Sequence, residues 1–400
     1  MSSRFDVVII GAGPAGSSAA YFLARAGVKV LLLDKATFPR DKTCGDGLIP
    51  RALPILAEMG ILDVLKQQAL GWQLNQLEVS APSGRTVRFS IPPLPHAPNQ
   101  AVVVPRLILD NLLLQQAIAC GAEFRGGVHV RRLEADSNGV TISADERYQA
   151  MLAIVATGAN TALLNTLGLN PPKPNIVAAR AYFEGIESLP SYFQFRFDGV
   201  VLPGYGWVFP LSPTSANIGA GFIRTGKREH HQSAQTAFNS FIQSPALKKM
   251  LGNARQAGAL KSFPIRTDFT SAPTFAERVL LIGEAAGLVN PLTGDGIDFA
   301  LESGKIAAEQ IISMLRLGDI SRSQLEAYDT ILRQRYQNLF RFSERVSRMT
   351  LNRRALDWLV PLAAARPKLS ETLVNILLGA QPAPEQVSLL RIVKGVAARL

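Results

Sequence analysis

An α/β fold is what this sequence predicts, and three observations predict it. Residues 5–10 form an apolar run interrupted only at Asp6, as in a strand buried on both faces, and the run breaks into Gly11-Ala-Gly13-Pro-Ala-Gly16. Residues 15–26 come next with helical spacing (Ala19, Ala20, Leu23, Ala24) up to Gly27, and residues 28–33 form a second apolar run ending at Asp34. Far downstream, near residue 280, a third apolar run ends in another glycine-rich turn, Gly283 to Ile297. The first two features make a strand–turn–helix–strand unit of the Rossmann type.

The remaining elements are taken in chain order. Residues 101–110 lead into a helix through Leu112, Leu113 and Ala117. Residues 127–134 read as a strand, residues 137–149 as a hairpin around Asn138-Gly139, and residues 153–158 as a buried strand returning to the first layer. Period-two alternation in 192–197 and 216–220 marks a mostly antiparallel β domain with one packed face, joined by a strand or two from 76–92. Residues 300–350 are helical by spacing, and Pro361, Pro367, Pro382 and Pro384 are expected to divide the rest of the chain into short helices. The expected organisation is a discontinuous nucleotide-binding domain (1–75, 100–174, 266–320), a substrate domain (76–99, 175–265) and a helical C-terminal region (321–400).

Composition narrows the function classes. The 400 residues are 47% hydrophobic, enough for a large core, and carry a formal charge of +11. Residues 321–400 hold 13 Lys and Arg against 6 Asp and Glu, which concentrates the excess. A basic, apolar C-terminal part suits an anionic membrane surface or an acidic head group. No zinc-finger spacing or basic–aromatic stripe speaks for nucleic acid. Cys44 and Cys120 are too few for a disulfide framework, which points to a reducing, cytoplasmic setting. The apolar start is cut by glycines and does not read as a signal peptide. The uncharged stretch 150–172 contains Thr157, Asn160, Asn165 and a proline pair, so it reads as strand, loop and short helix rather than a membrane span. The tail 387–400 places Leu389, Ile392, Val393 and Val396 near one side, a pattern that fits either a membrane-lying or a packed helix. His96, His129, His230 and His231 lack metal-ligand spacing, and no metal is expected.

Gly11, Gly13 and Gly16 permit the tight turn and let backbone approach a pyrophosphate, while the helix presents unpaired N–H groups to it. Asp34, with Lys35 beside it, stands where a carboxylate accepts from a ribose and argues against a 2′-phosphate. The motif alone fits NAD or FAD. The second turn decides for FAD: Glu284 can accept from ribityl hydroxyls after the Gly283 strand end, and Gly294 and Gly296 let N–H groups reach a flavin edge that becomes anionic on reduction. The helix from Ile297 adds its positive N-terminus. Tyr205, Trp207 and Phe209 alternate with period two, which puts three rings on one strand face. Cys44, in a glycine-rich loop, can pack against a cofactor or relay a proton. Cys120, at a helix end, reads as structural.

Four segments carry a resemblance: Gly11 to Gly16, Pro39-Arg-Asp-Lys-Thr-Cys44-Gly-Asp-Gly47, Pro203-Gly-Tyr205-Gly-Trp207-Val-Phe209-Pro210, and Gly283 to Ile297. The sequence is similar to the geranylgeranyl reductase family, within the flavoproteins related to aromatic hydroxylases. The resemblance implies FAD contacts at Ala15, Asp34, Cys44, Gly45, Gly47, Arg106, Val130, Glu284, Gly296 and Ile297. It implies a lipid cavity lined by Tyr205, Trp207 and Phe209, and reduction of prenyl C=C bonds with Cys44 and Tyr205 as candidate proton relays. NAD(P)H, or a ferredoxin-like protein, would supply the electrons. Two positions depart from the family pattern: Glu284 stands for the usual Asp, and Thr157, before Gly158, for the Asp of related flavoproteins. Flavin hydroxylases of this group carry His where Gly287 stands, and halogenases a Trp where Ser17-Ser18-Ala19 stands, so both alternatives rank below a reductase. A flavin-bearing lipid carrier without catalysis is the third reading.

Overall fold

The computed structural model describes residues 5–92, 99–224, 232–350 and 352–366, with residues 370, 374, 375 and 378. His96, His230, His231, Pro367, Pro382, Pro384 and the tail 387–400 lie outside these residues.

Among the described residues one sheet runs, in spatial order, Phe275–Ala276, Val279–Leu281, Arg147–Val155, Phe5–Ile10, Val30–Asp34 and Glu123–Gly126, with a side hairpin formed by Gly139–Ser143 and Arg132–Asp136. From Val279–Leu281 to Glu123–Gly126 all neighbours are parallel. The inner strands are covered on both faces, which explains their apolar runs: Val7, Val8, Ile9, Leu31, Leu32 and Leu33 are fully buried, while the edge strand Glu123–Gly126 stays partly exposed. The second sheet runs Arg255–Ile265, Ile176–Glu184, Ser215–Ile223, Gly204–Pro210, Phe193–Arg196, Gln76–Ser80 and Thr86–Ser90. It is antiparallel except where Phe193–Arg196 pairs with Gln76–Ser80, and it does recruit two strands from before residue 92. Three short strands, Gly47–Leu48, Ala101–Val103 and Trp72–Leu74, form a third sheet. Helices Ile297–Leu317, Arg322–Thr350 and Arg353–Ala365 come after the last strand. Leu356, Val360 and Ala363 of the last helix pack into the same apolar cluster as Phe193, Trp207 and Phe209.

Helix Pro14–Arg25 lies against Ile297–Leu317, and small residues set how closely. A Cβ on Gly304 would stand 2.4 Å from the Ala15 carbonyl oxygen. The Ser18 hydroxyl donates to the Leu301 carbonyl at 2.8 Å. This contact draws together the N-termini of two helices some 280 residues apart in sequence, each preceded by a glycine turn.

Two expectations are corrected. Residues 127–131 are not strand: Gly127 has φ +77, and the chain leaves the sheet there. The Val128 N–H donates to the Asp34 carbonyl at 2.9 Å, so the detour is tied across the end of the second strand. Pro361 does not divide the helix but sits inside Arg353–Ala365. It forfeits one backbone bond there, and the buried face through Leu356, Val360 and Ala363 holds the helix together. Among the described residues no helix is long and apolar enough to cross a membrane.

Candidate active site

A cavity of about 630 Å³ opens between the carboxyl ends of the parallel strands and the second sheet. That volume falls within the ~300–1,000 Å³ typical of cofactor and ligand sites.

One end of the cavity is built by the first glycine turn. Gly11, Gly13, Ala15, Asp34 and Lys35 line it. Gly11 has φ +107, and a Cβ there would come within 2.4 Å of the Ala156 carbonyl oxygen. Asp34 braces the turn, its carboxylate accepting from the Ala12 N–H at 2.7 Å and the Ala36 N–H at 2.8 Å. Gly13 caps helix Pro14–Arg25, whose unbonded first-turn N–H groups are free for an anion. Gly16 does not reach the wall; its absent side chain leaves room for the Gly11 carbonyl, which a Cβ would meet at 1.8 Å.

Sequence reasoning missed Arg40 as a site residue, although it lies in one of the four segments that carry the resemblance. Its Nη2 is the nearest atom, 3.6 Å, to a Cβ built on Gly13. Its Nη1 lies 2.9 Å from Asp110, a carboxylate with no exposure that also holds Arg106 in a fork at 2.6 and 2.8 Å. Two guanidiniums thus share one carboxylate and leave net positive charge beside the cradle. Arg106 lines the cavity, as does Val130 from the detour at 127–131.

The second glycine turn builds the adjoining wall. Glu284, Gly294, Gly296 and Ile297 line the cavity. Glu284 accepts from the Arg266 N–H at 3.0 Å. Burial pushes its carboxyl up, and the positive charge of Lys42 works in the opposite direction. Gly283 does not reach the wall: with φ +56 it seats the turn on Ala15, 3.0 Å from its own virtual Cβ. Thr157 and Gly158 line the cavity, but the Thr157 hydroxyl is spent on the Asn160 carbonyl at 2.8 Å. A Cβ on Gly158 would stand 3.4 Å from a Glu284 oxygen.

The third wall is aromatic. Tyr205, Trp207 and Phe209 all line the cavity, as does the neighbouring pair Phe193 and Phe195, which was legible as alternation but not assigned to the site. The strand register explains how such bulk fits: Tyr205 lies opposite Gly221 and Trp207 opposite Gly219. A Cβ on Gly219 would approach the Trp207 ring to 2.1 Å. The Tyr205 hydroxyl donates to the Thr293 carbonyl of the second glycine turn. Burial pushes this phenol up, so it stays neutral.

The loop Cys44–Gly47 joins the walls. Cβ atoms on Gly45 and Gly47 would lie 3.0 Å and 3.4 Å from the Phe209 ring. The Cys44 sulfur accepts from the Asp46 N–H at 3.3 Å, and burial pushes the thiol up, so it is a neutral S–H rather than a thiolate. Behind the loop lies a network that local sequence gave no sign of. The Trp207 indole N–H donates to Asn217 Oδ1 at 2.9 Å. The Asn217 amide donates to the Cys44 carbonyl at 2.8 Å and to Asp46 at 2.7 Å. The Tyr182 hydroxyl also donates to Asp46, at 2.7 Å.

Asp46 has no exposure, and burial pushes its carboxyl up to about 6, against hydrogen bonds from Tyr182 and Asn217. The folded chain therefore holds the proton more tightly than the unfolded chain, whose value is 3.8. Stability is fully present below pH ~4 and declines as pH rises toward ~6, by up to ~3 kcal/mol from this group. Asp46→Asn should remove that decline. Denaturant unfolding of both proteins at pH 4 and pH 7 checks it; parallel pH dependence would refute it.

Cys120 caps helix Arg106–Ala119, away from the cavity. Among the described residues no cluster of His, Cys, Asp or Glu has metal-site geometry.

Two glycine-capped helix ends, a ribose-type carboxylate and an aromatic wall, sharing one cavity, define a dinucleotide-dependent oxidoreductase. Comparisons with known proteins specify the class. A model of the FAD binding domain matches residues 4–179. The menaquinone reductase of Mycolicibacterium smegmatis is 33% identical, over 94% of this chain and 92% of its own. Digeranylgeranylglycerophospholipid reductase 1 of Methanopyrus kandleri is 31% identical, over 86% of this chain and 90% of its own. The chain belongs to the geranylgeranyl reductase family of FAD-dependent oxidoreductases. Among solved structures, a geranylgeranyl bacteriochlorophyll reductase-like protein of Thermoplasma acidophilum superposes with a TM-score of 0.80 at 22% identity, covering 98% of this chain and 99% of that one. The flavin-dependent brominase Bmp2 gives 0.78 at 22% identity, covering 99% of each. At that identity both establish the shared fold alone.

Proposed function

We propose that this chain saturates C=C bonds of a prenyl-chain lipid. The observation that carries the reading is the shared cavity: the aromatic wall touches the Cys44–Gly47 loop, so an apolar chain on that wall lies beside the cofactor. The names of the two relatives, a reductase of menaquinone and one of a digeranylgeranyl phospholipid, support a prenyl substrate.

FAD fits the residues present. Gly11, Gly13 and the Ala15 N–H would hold the pyrophosphate, with Gly16 leaving room for the Gly11 carbonyl and Arg40 and Arg106 as counter-charges. Asp34, flanked by Lys35 and Val130, would take the adenosine ribose, and Glu284, beside Thr157 and Gly158, the ribityl chain. Gly294, Gly296 and Ile297 would face the flavin ring, with Gly283 bracing their turn and Cys44, Gly45 and Gly47 on the other side. Reduced FAD supplies a hydride. The chain's own work is to exclude water, to lay one double bond against the ring with Tyr205, Trp207 and Phe209, and to present a proton. Cys44 and Tyr205, both neutral, can donate one. Electrons would come from NAD(P)H visiting the cavity or from a ferredoxin-like protein, and the expected setting is cytoplasmic, with a peripheral place on the inner face of a membrane as the alternative.

The brominase-like fold keeps an oxygen-using flavoenzyme as the second reading. An anaerobic assay with dithionite-reduced protein and geranylgeranyl lipids separates them. Saturated product at one equivalent per flavin is expected. Product formed only with oxygen would favour a monooxygenase or halogenase, and binding without conversion a lipid carrier.

A further inference from the structure

Asp295 lines the cavity between Gly294 and Gly296, yet neither cofactor binding nor the aromatic wall gives it work. Its loop is closed on itself: the Asp295 N–H donates to the Thr293 hydroxyl at 3.3 Å, and its carbonyl accepts from the Asn290 N–H at 2.8 Å. The Tyr205 hydroxyl binds the Thr293 carbonyl, and stands 3.5 Å from a Cβ built on Gly294. Asp295 is therefore at the seam between the aromatic wall and the second glycine turn, where a prenyl chain and a flavin would meet.

Behind it stands a charge cluster. Asp298 and Glu302 occupy the first turns of helix Ile297–Leu317, and Asp298 is 1% exposed. Arg51 lies 3.4 Å from Asp298 and also pairs with Glu302. Arg335 donates to Glu302 through Nε at 2.6 Å, and its half-exposed side chain brings the cluster to solvent. With Asp295, whose charge interacts with Asp298 and Arg51, three carboxylates stand against two guanidiniums. In a low-dielectric setting the surplus negative charge is removed most cheaply by one proton.

We propose that Asp295 is a catalytic acid of this site, delivering the proton that accompanies hydride addition to the prenyl double bond. The inference rests on the reductase reading. The Asp295 O–H bond breaks as a C–H bond forms at one alkene carbon. Hydride from the reduced flavin forms the second C–H bond, the π bond is lost, and the flavin is oxidised by two electrons. Proton and hydride arrive together, since a free tertiary cation is beyond the acidity of a carboxyl. Asp295 is left as carboxylate and regains a proton from solvent before the next turnover.

The groups that set its titration are Asp298 on the helix, Arg51 on the turn Pro50–Ala52 and, on the facing strand, the Tyr205 phenol. Burial and the Asp298 charge push the Asp295 carboxyl well up, and Arg51 opposes them. The shift favours the protonated acid, which is lost as pH rises.

The test uses flavin-loaded wild type, Asp295→Asn and Asp298→Asn, each checked for flavin content. Infrared spectra of the oxidised proteins should show one protonated-carboxyl band more in wild type than in Asp295→Asn. In single turnovers of dithionite-reduced enzyme with a geranylgeranyl lipid, Asp295→Asn should saturate the lipid at least 100-fold more slowly and lack the alkaline limb of the rate profile. Asp298→Asn, which removes a like charge, should move that limb to lower pH. Wild-type turnover matched by Asp295→Asn, with no carboxyl band lost, would overturn the role of Asp295 alone. A wild-type protein that leaves the lipid unsaturated would overturn the reductase reading and this role with it. Should Asp295→Asn not fold, an Asp298→Asn limb unchanged in position would refute the assignment.

Discussion

Gly13→Val should give a folded protein that no longer holds FAD. Gly13 caps helix Pro14–Arg25 at φ −74, a conformation open to any residue. A Cβ there meets only Arg40 Nη2, at 3.6 Å, an ordinary contact. The chain itself therefore tolerates the substitution. The two valine methyls, however, enter the space where a pyrophosphate would rest on the helix's first-turn N–H groups, and they separate it from Arg40. Losing direct anion contact in a preformed site should weaken FAD by at least 100-fold, ~2.7 kcal/mol. Gly11→Ala is the instructive contrast. At φ +107, with a Cβ 2.4 Å from the Ala156 carbonyl, it strains the paired carboxyl ends of two central strands, so both stability and flavin should suffer. Flavin absorbance of the purified proteins, together with thermal unfolding of their apo forms, distinguishes the two. A yellow Gly13→Val protein with unaltered affinity would remove this turn from the cofactor site.

The parallel layer was legible because its information is local. An apolar run, a glycine turn and a helix each depend on residues within a few positions of one another, and boundaries shifted little: the first helix is Pro14–Arg25 and the second strand Val30–Asp34. The detour at 127–131 was not legible, because Val128 and Val130 are apolar for the sake of the cavity wall rather than a sheet. Pro361 misled for the opposite reason: tertiary packing of an amphipathic face outweighs one missing backbone bond. In the site, residues acting through backbone or conformation could be read from the glycines. Asn217 could not. Its place behind Trp207 and Cys44 comes from strand register and from a loop 173 residues away. Asp295 was passed over because two flanking glycines claimed the turn, while its partners Arg51 and Tyr205 sit on distant elements.

Substitution of Trp207 should separate lipid handling from cofactor binding. The indole lies across Gly219 and donates to Asn217, which in turn holds the Cys44 carbonyl and Asp46. Trp207→Phe keeps most of the apolar surface but leaves Asn217 Oδ1 without its donor, a loss of ~1–3 kcal/mol for a buried polar atom. Lipid turnover should fall about tenfold, the equivalent of ~1.4 kcal/mol, at the low end of that range. Trp207→Ala also opens a void where the 6%-exposed ring stood, a change costing ~3–5 kcal/mol of stability in comparable cores, and should cut turnover by at least 100-fold. FAD should remain bound in both: the Cys44–Gly47 loop loses support, but Gly13, Asp34, Arg40 and Glu284 would hold the cofactor without any of these atoms. Gly219→Ala approaches the same indole from behind, at 2.1 Å. If the wall positions substrate, Gly219→Ala should reproduce the turnover defect of Trp207→Phe without removing a single cavity-lining side chain. Single-turnover rates beside flavin content read all three variants. Unchanged lipid kinetics in Trp207→Ala would mean that the ring is core and that the substrate lies elsewhere.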